Sequence, residues 1–288
     1  MKKNKIISLL LLVFILASCS RAKDTLNSED KYVISNLNSE KSQADIKDTL
    51  EDAGISKEKV DRFINQVNFF NQNVSRDLLI KDDYERRNEI REYDQYAMQD
   101  QLFAKYPEFA GINCRITSFG LISDKITVKE TKNPNLSAIE IDNSSFINPP
   151  VETLNKDEID GFNKFYSAIK SENKNDPKYQ EQKIKDFWKE NGIVFPESNK
   201  YSIISVYVFS NIDEDNNELF VGHTGILIKL KDSKLMLVEK LAFTSPYQAI
   251  TFNSYQDLYE YLMKLYDFSN EQYPIKPLIF DNDRRIEI

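Results

Sequence analysis

Apolar positions recur at helical spacing up to about residue 200 and then at strand spacing. Ala44, Ile46, Leu50 and Ala53 mark a short helix that Gly54 should end. Val60, Phe63, Ile64, Val67 and Phe70 fall on one stripe of a second helix, opened by Ser56. A third helix is expected over about 82–105, charged at first and then carrying Tyr93, Tyr96, Ala97 and Phe103, with Pro107 closing it. After Gly111 and Asn113, the apolar residues Ile116, Phe119 and Ile122 recur every third position. A helix should therefore begin at Asn113 or Cys114, with Asn113 as its N-cap. Residues 127–150 lose periodicity and read as a long surface connection with a short strand at 138–141. Helices follow over 156–169 and from Asp176-Pro177, an N-cap followed by an N1 proline, to near Gly192.

From Tyr201 the period changes. Strands are expected over 201–209, 219–230, 235–243, 249–252 and 277–280. Ser254 and Asp257 have capping-box spacing and open a helix through Tyr266. A helical N-terminal part followed by an antiparallel sheet is an α+β fold.

The first residues change the picture of where this fold resides. Three lysines precede an apolar run over 6–16, which ends in Ala17-Ser18-Cys19. That is a signal-peptide layout, too short to span a bilayer as a helix. Leu16-Ala17-Ser18-Cys19 resembles the lipobox of bacterial lipoproteins, in which the cysteine becomes the lipidated N-terminus. The expected organisation is a signal peptide at 1–18, a lipidated Cys19 with a flexible tether over 19–38, and one globular domain over 39–288 with a helical insertion at about 127–200. The expected location is the extracytoplasmic face of the cell membrane, held there by the lipid.

Removing the leader's three lysines takes the formal net charge from −8 to −11. An acidic chain without basic clusters argues against a nucleic-acid partner. With Cys19 acylated, Cys114 has no thiol to pair with, so no disulfide framework is expected. One histidine and one usable cysteine make zinc a poor fit, and no cofactor or metal is expected. Asp213-Glu214-Asp215-Asn216-Asn217-Glu218 imitates the opening of a calcium loop. It lacks the glycine at the sixth position and the glutamate at the twelfth, and reads as a solvated turn.

The remaining chemistry centres on Cys114 and His223, the only histidine. A thiol at a helix start has its thiolate favoured by backbone N–H groups and the helix dipole. An imidazole beside it can take the proton, and a polar group on a neighbouring strand can orient that imidazole. His223 lies on the 219–230 strand and Glu239 on the next. A two-residue turn at Lys231–Lys234 would pair Gly225 with Lys240 and put Lys240 on the His223 face. One extra residue would pair Gly225 with Glu239 and bring Glu239 diagonal to His223. The sequence leaves both registers open, with Gln248 as a fallback orienting group. Arg115 could lower the thiol pKa or bind a substrate carboxylate, or could be a surface ion pair. Asn113, Arg115 and Gln248 are the candidate binding residues.

A helix-start Cys114, then Gly222-His223-Thr224-Gly225 on a strand, then a polar residue on the following strand resembles the NlpC-type branch of papain-like cysteine peptidases and amidases. That resemblance implies a papain-like core, with Cys114 as nucleophile, His223 as base and Glu239 as orienter. It also implies a cell-wall peptide or related amide as substrate. The chain departs from the pattern at Asn113, where Asp is usual, and at Glu239, where His, Asn or Gln is more common. More of the text, Asn113–Phe119, Gly222–Leu227 and Glu239–Gln248, is similar to an uncharacterised lipoprotein family of low-GC Gram-positive bacteria known only as domain of unknown function 4300. That similarity implies the address and a shared fold but no activity. The alternative is a non-catalytic binding lipoprotein that holds a peptide or glycan in the same cleft.

Overall fold

The computed structural model describes residues 30–129, 133–211, 217–271 and 273–288. The leader, Cys19 and the centre of the calcium-like turn, residues 212–216, lie outside them. The chain opens with a strand, β1 (Tyr32–Ser35), and two helices, α1 (Glu40–Ala53) and α2 (Lys57–Asn73). Ser39 and Ser42 cap α1 reciprocally, and Gly54 ends it at φ 101°. The α2 stripe of Val60, Phe63, Ile64, Val67 and Phe70 is fully buried, each residue contributing about 1.5–3 kcal/mol by leaving water. Next come β2 (Glu85–Arg87), α3 (Gln95–Lys105) and α4 (Cys114–Ile122). The insertion supplies α5 (Glu140–Ser144), α6 (Lys156–Phe165), β3 (Ile169–Lys170) and α7 (Pro177–Glu190). The sheet strands β4 (Tyr201–Asn211), β5 (Asn217–Lys229), β6 (Leu235–Lys240) and β7 (Tyr247–Phe252) follow. The C-terminal elements are α8 (Tyr255–Tyr266), β8 (Leu278–Asp281) and β9 (Arg284–Arg285).

Among the described residues the strands form one nine-stranded sheet in the order β2-β1-β7-β6-β5-β4-β8-β9, with β3 added to β5, and its pairs are antiparallel. Alternation along each strand builds two cores. Ile226, Ile228, Val238 and Ala249 face the N-terminal and insertion helices. Leu227, Leu237 and Ile250 face Leu258, Tyr261 and Leu262 of α8. The architecture is α+β, as the periodicity indicates. No helix among the described residues is long and apolar enough to cross a membrane.

Four expectations need correction. The segment expected as the end of a tether becomes β1 from Tyr32, paired with β7 and β2, and Asn36 behind it is fully buried. The helix expected from Asp82 begins only at Gln95, where Asp94 caps it. Glu85–Arg87 has no apolar stripe to bury and pairs instead along the edge of β1. The strand expected at 138–141 is helical, a 3-10 turn running into α5. The helix expected to reach Ile169 stops at Phe165, and Ile169 turns to pair with Leu219.

Candidate active site

Cys114 is the first residue of α4, a buried free thiol. Its neighbours fix it. Asn113 has extended backbone, and its Oδ1 accepts the Ile116 N–H at 3.0 Å, the N-cap bond expected from the sequence. The Asn113 Nδ2 donates to Asp142 Oδ1 at 2.7 Å. Arg115 donates to the same carboxylate through Nε at 2.8 Å and Nη2 at 2.7 Å, and through Nη1 to the Val221 carbonyl at 2.8 Å. The residues on both sides of the sulfur are thus tied to one buried aspartate of α5. Arg115 is no surface ion pair: it is 8% exposed and its fork is filled by protein acceptors. Burial alone would lower its pKa, but Asp142 raises it.

On β5, Val206 pairs with His223 while Tyr207 pairs with Val221, so Gly222 is an extra, bulged residue. The bulge reverses the alternation. Leu219 and Val221 face the helical core before it, and Ile226 and Ile228 face it afterwards. His223 thereby turns towards α8. A Cβ on Gly222 would stand 2.9 Å from Val208, and one on Gly225 would stand 2.7 Å from Leu237. Small residues on both sides of the histidine let the strands close around it.

The hairpin decides the register left open above. Lys229 pairs with Leu235 and Ile226 with Val238, the alignment that places Glu239 opposite Gly225. Leu230 and Lys234 close a three-residue loop, with the Leu230 N–H on the Lys234 carbonyl at 2.9 Å and Ser233 at φ 66°. His223 Nε2 and Glu239 Oε2 are then 2.5 Å apart. Pairing between β5 and β6 stops at Ile226–Val238, so the strands are no longer laddered where the ring meets Cys114. Nε2 is engaged by Glu239, which leaves Nδ1 as the nitrogen for the sulfur.

Burial disfavours charge on both members of the pair, yet their hydrogen bond and mutual attraction win. The Cys114 thiol is pushed up by burial but brought below its ordinary value by His223, with a smaller contribution from Arg115. His223 is pushed down by burial but raised to about 9 by Cys114 and then Glu239. Both shifts favour the thiolate–imidazolium form of the pair over the neutral one. Glu239 is fully buried and also accepts the Tyr261 hydroxyl at 2.6 Å and Gln248 Nε2 at 2.7 Å on Oε1. The Tyr266 ring stacks on the imidazole at 4.3 Å and 14°.

A family model described as Domain of unknown function (DUF4300) matches residues 33–286. The chain belongs to this family. No curated protein and no solved structure matches it significantly. The DUF4300 match spans every residue of the site described here, from Asn36 to Tyr266.

Within this DUF4300 domain the three residues expected to be catalytic, Cys114, His223 and Glu239, come together. The three expected to bind substrate point into protein. Asn113 and Arg115 serve Asp142, and Gln248 serves Glu239. Among the described residues, no cluster of three or more histidines, cysteines or carboxylates could hold a metal ion. Sequence reasoning missed Asp142, Tyr261 and Tyr266. Tyr261 was findable: it lies on the apolar face of α8 beside Leu258 and Leu262, and a tyrosine buried there needs a partner for its hydroxyl. The network continues outwards. Tyr261 and Gln248 bond each other, and Tyr93 reaches Gln248 at 3.4 Å while accepting from Asn36 at 2.9 Å. Asn36 lies just after β1, so the segment expected as tether contributes to the site's outer support.

Proposed function

We propose that the protein is a cysteine hydrolase, a peptidase or amidase with a papain-like, NlpC-type core. In this reading it is anchored by a lipid on Cys19 at the extracytoplasmic face of the cell membrane and acts on a cell-wall peptide or a related amide. The observation that carries the reading is the Cys114–His223–Glu239 chain, with the thiol at a helix start and the imidazole held from its far side by a buried carboxylate. Order along the chain and the Gly-His-x-Gly setting add to it.

The mechanism follows from the charges. The Cys114 thiolate attacks the amide carbonyl carbon, forming the S–C bond and moving the carbonyl electron pair to oxygen. The first N–H groups of α4, Cys114's among them, have no acceptor within the helix and can donate to that oxyanion. His223 gives its Nδ1 proton to the amine as the C–N bond breaks. A water then attacks the thioester, His223 takes its proton, and the acid leaves as the sulfur recovers its charge. Glu239 keeps the imidazole in one orientation and stabilises its protonated form throughout.

The test is alkylation of Cys114 by iodoacetamide at neutral pH, paired with release of amine from muropeptides. Fast labelling that drops to or below the rate of an ordinary thiol in His223→Ala, together with turnover lost in Cys114→Ala, supports the hydrolase. Ordinary labelling unchanged by His223→Ala supports the second reading, a non-catalytic lipoprotein that holds a peptide or glycan. That reading draws on the burial of Cys114, which is only 5% exposed.

A further inference from the structure

A small, partly open pocket lies against the segment that leads into the nucleophile. Ala110, Gly111 and Ile112 form part of its wall, and Ile112 is two residues from Cys114, at most about 7 Å along the chain. Gly111 is held at φ 103°, and a Cβ there would stand 2.4 Å from the Phe243 carbonyl oxygen. The turn after β6 therefore packs directly on the nucleophile's lead-in and closes one side. Phe103, Tyr106 and Phe109 close the other, and all three remain partly exposed. The lining is aromatic and aliphatic apart from Gln66, Thr244 and Lys240.

Lys240 sets the polarity of this slot. Its Nζ sits 3.7 Å from the Phe70 ring centre and 4.7 Å from that of Tyr247, and it donates to the Ser245 carbonyl. Among the described residues no carboxylate lies within ion-pair distance of it. Burial pushes the Lys240 pKa well below the usual lysine range, so positive charge is disfavoured here. A cation entering the slot would be left equally unpaired, whereas an apolar group would meet ring faces and edges.

We propose that this slot is the apolar subsite of the active site, taking an aliphatic or aromatic group that flanks the scissile amide and rejecting a cationic one. The proposal rests on the cysteine-hydrolase reading, which supplies the scissile bond. It is tested by alkylation of Cys114, in which the sulfur displaces iodide from three probes: iodoacetamide, N-(2-phenylethyl)iodoacetamide and N-(2-aminoethyl)iodoacetamide. Each rate, read by mass spectrometry, is normalised to that with free cysteine. Burying one aryl group should make the phenylethyl probe about tenfold faster than iodoacetamide, while the aminoethyl probe gains nothing. Ala110→Leu, which fills the slot, and Phe103→Ala, which removes a wall, should each bring the phenylethyl-to-iodoacetamide ratio towards one. Fast labelling by all three probes at equal normalised rates overturns the subsite and leaves the nucleophile standing. Labelling no faster than free cysteine by any probe overturns the hydrolase reading and the subsite with it.

Discussion

His223 Nε2 stands 2.5 Å from Glu239 Oε2, a contact made only because the β5–β6 loop holds three residues and not two. The Glu239 oxygen not facing His223 is filled by Tyr261 and Gln248. A buried carboxylate with this many donors is satisfied without a cation, so its field is spent on the imidazole. Glu239→Gln keeps the shape and removes the charge. His223 should then titrate below its present value of about 9, and the thiolate should persist over a narrower pH range. The rate of Cys114 alkylation at neutral pH is expected to fall by roughly tenfold, in keeping with loss of about one pKa unit of support. An unchanged pH–rate profile would remove Glu239 from the site.

The thiol itself should show the pairing. An ordinary cysteine alkylates slowly below about pH 8.5 because little thiolate is present. Cys114 is held below its ordinary value by His223, so its reactivity should persist towards acid pH and fade only as the imidazolium–thiolate pair gains a proton. His223→Ala removes the attraction but not the burial. In that variant the profile should move upwards, past that of a free cysteine, because burial then outweighs the smaller pull of Arg115.

The same pair has a stability signature. His223 is raised above its ordinary 6.5, so its contribution is full below that pH and is lost as pH climbs through about 9. Cys114 is lowered below its ordinary 9.0, so its contribution is full above that pH and is lost as pH falls through the folded value. A pair that is charged throughout 6.5 to 9 carries one proton there, on the ring, where the unfolded chain carries one on sulfur, and the two slopes cancel. The Tm difference between wild type and Cys114→Ser should therefore be flat across that window. It should shrink as pH falls below 6.5, where the unfolded chain binds the extra proton. A difference that shrinks on the alkaline side of the window instead would mean that the pair is not charged in the native state.

Much of this site was legible because it rests on local signals. Asn113 as N-cap puts Cys114 in the first turn of α4, and Gly222 and Gly225 flank a histidine on a strand of strong β character. The register was not legible. It depends on Ser233 accepting a left-handed φ of 66°, and serine gives no such sign in a sequence, as glycine or asparagine would. The outer support was hidden for a different reason. Asp142 lies in a stretch without periodicity, and it is buried because Arg115 and Asn113 need an acceptor 27 and 29 residues away. β1 was hidden as well, since four residues of polar surroundings become a strand only when β7 is there to pair with them.

That distant pairing gives the last prediction. Asp142 is 1% exposed and takes three hydrogen bonds from the two residues flanking the nucleophile. Asp142→Ala would strand the Arg115 guanidinium in the interior, and breaking a buried pair from one side costs about 3–5 kcal/mol. Urea unfolding should show a loss of that order. Asp142→Asn keeps the acceptor for one donor and should lose less stability. Both should slow Cys114 alkylation if the aspartate sets the start of α4. The insertion would then be what aims the sulfur, since Asp142 is the contact by which α5 holds both Asn113 and Arg115. A stability loss with the alkylation rate and its pH profile unmoved would confine Asp142 to packing the insertion.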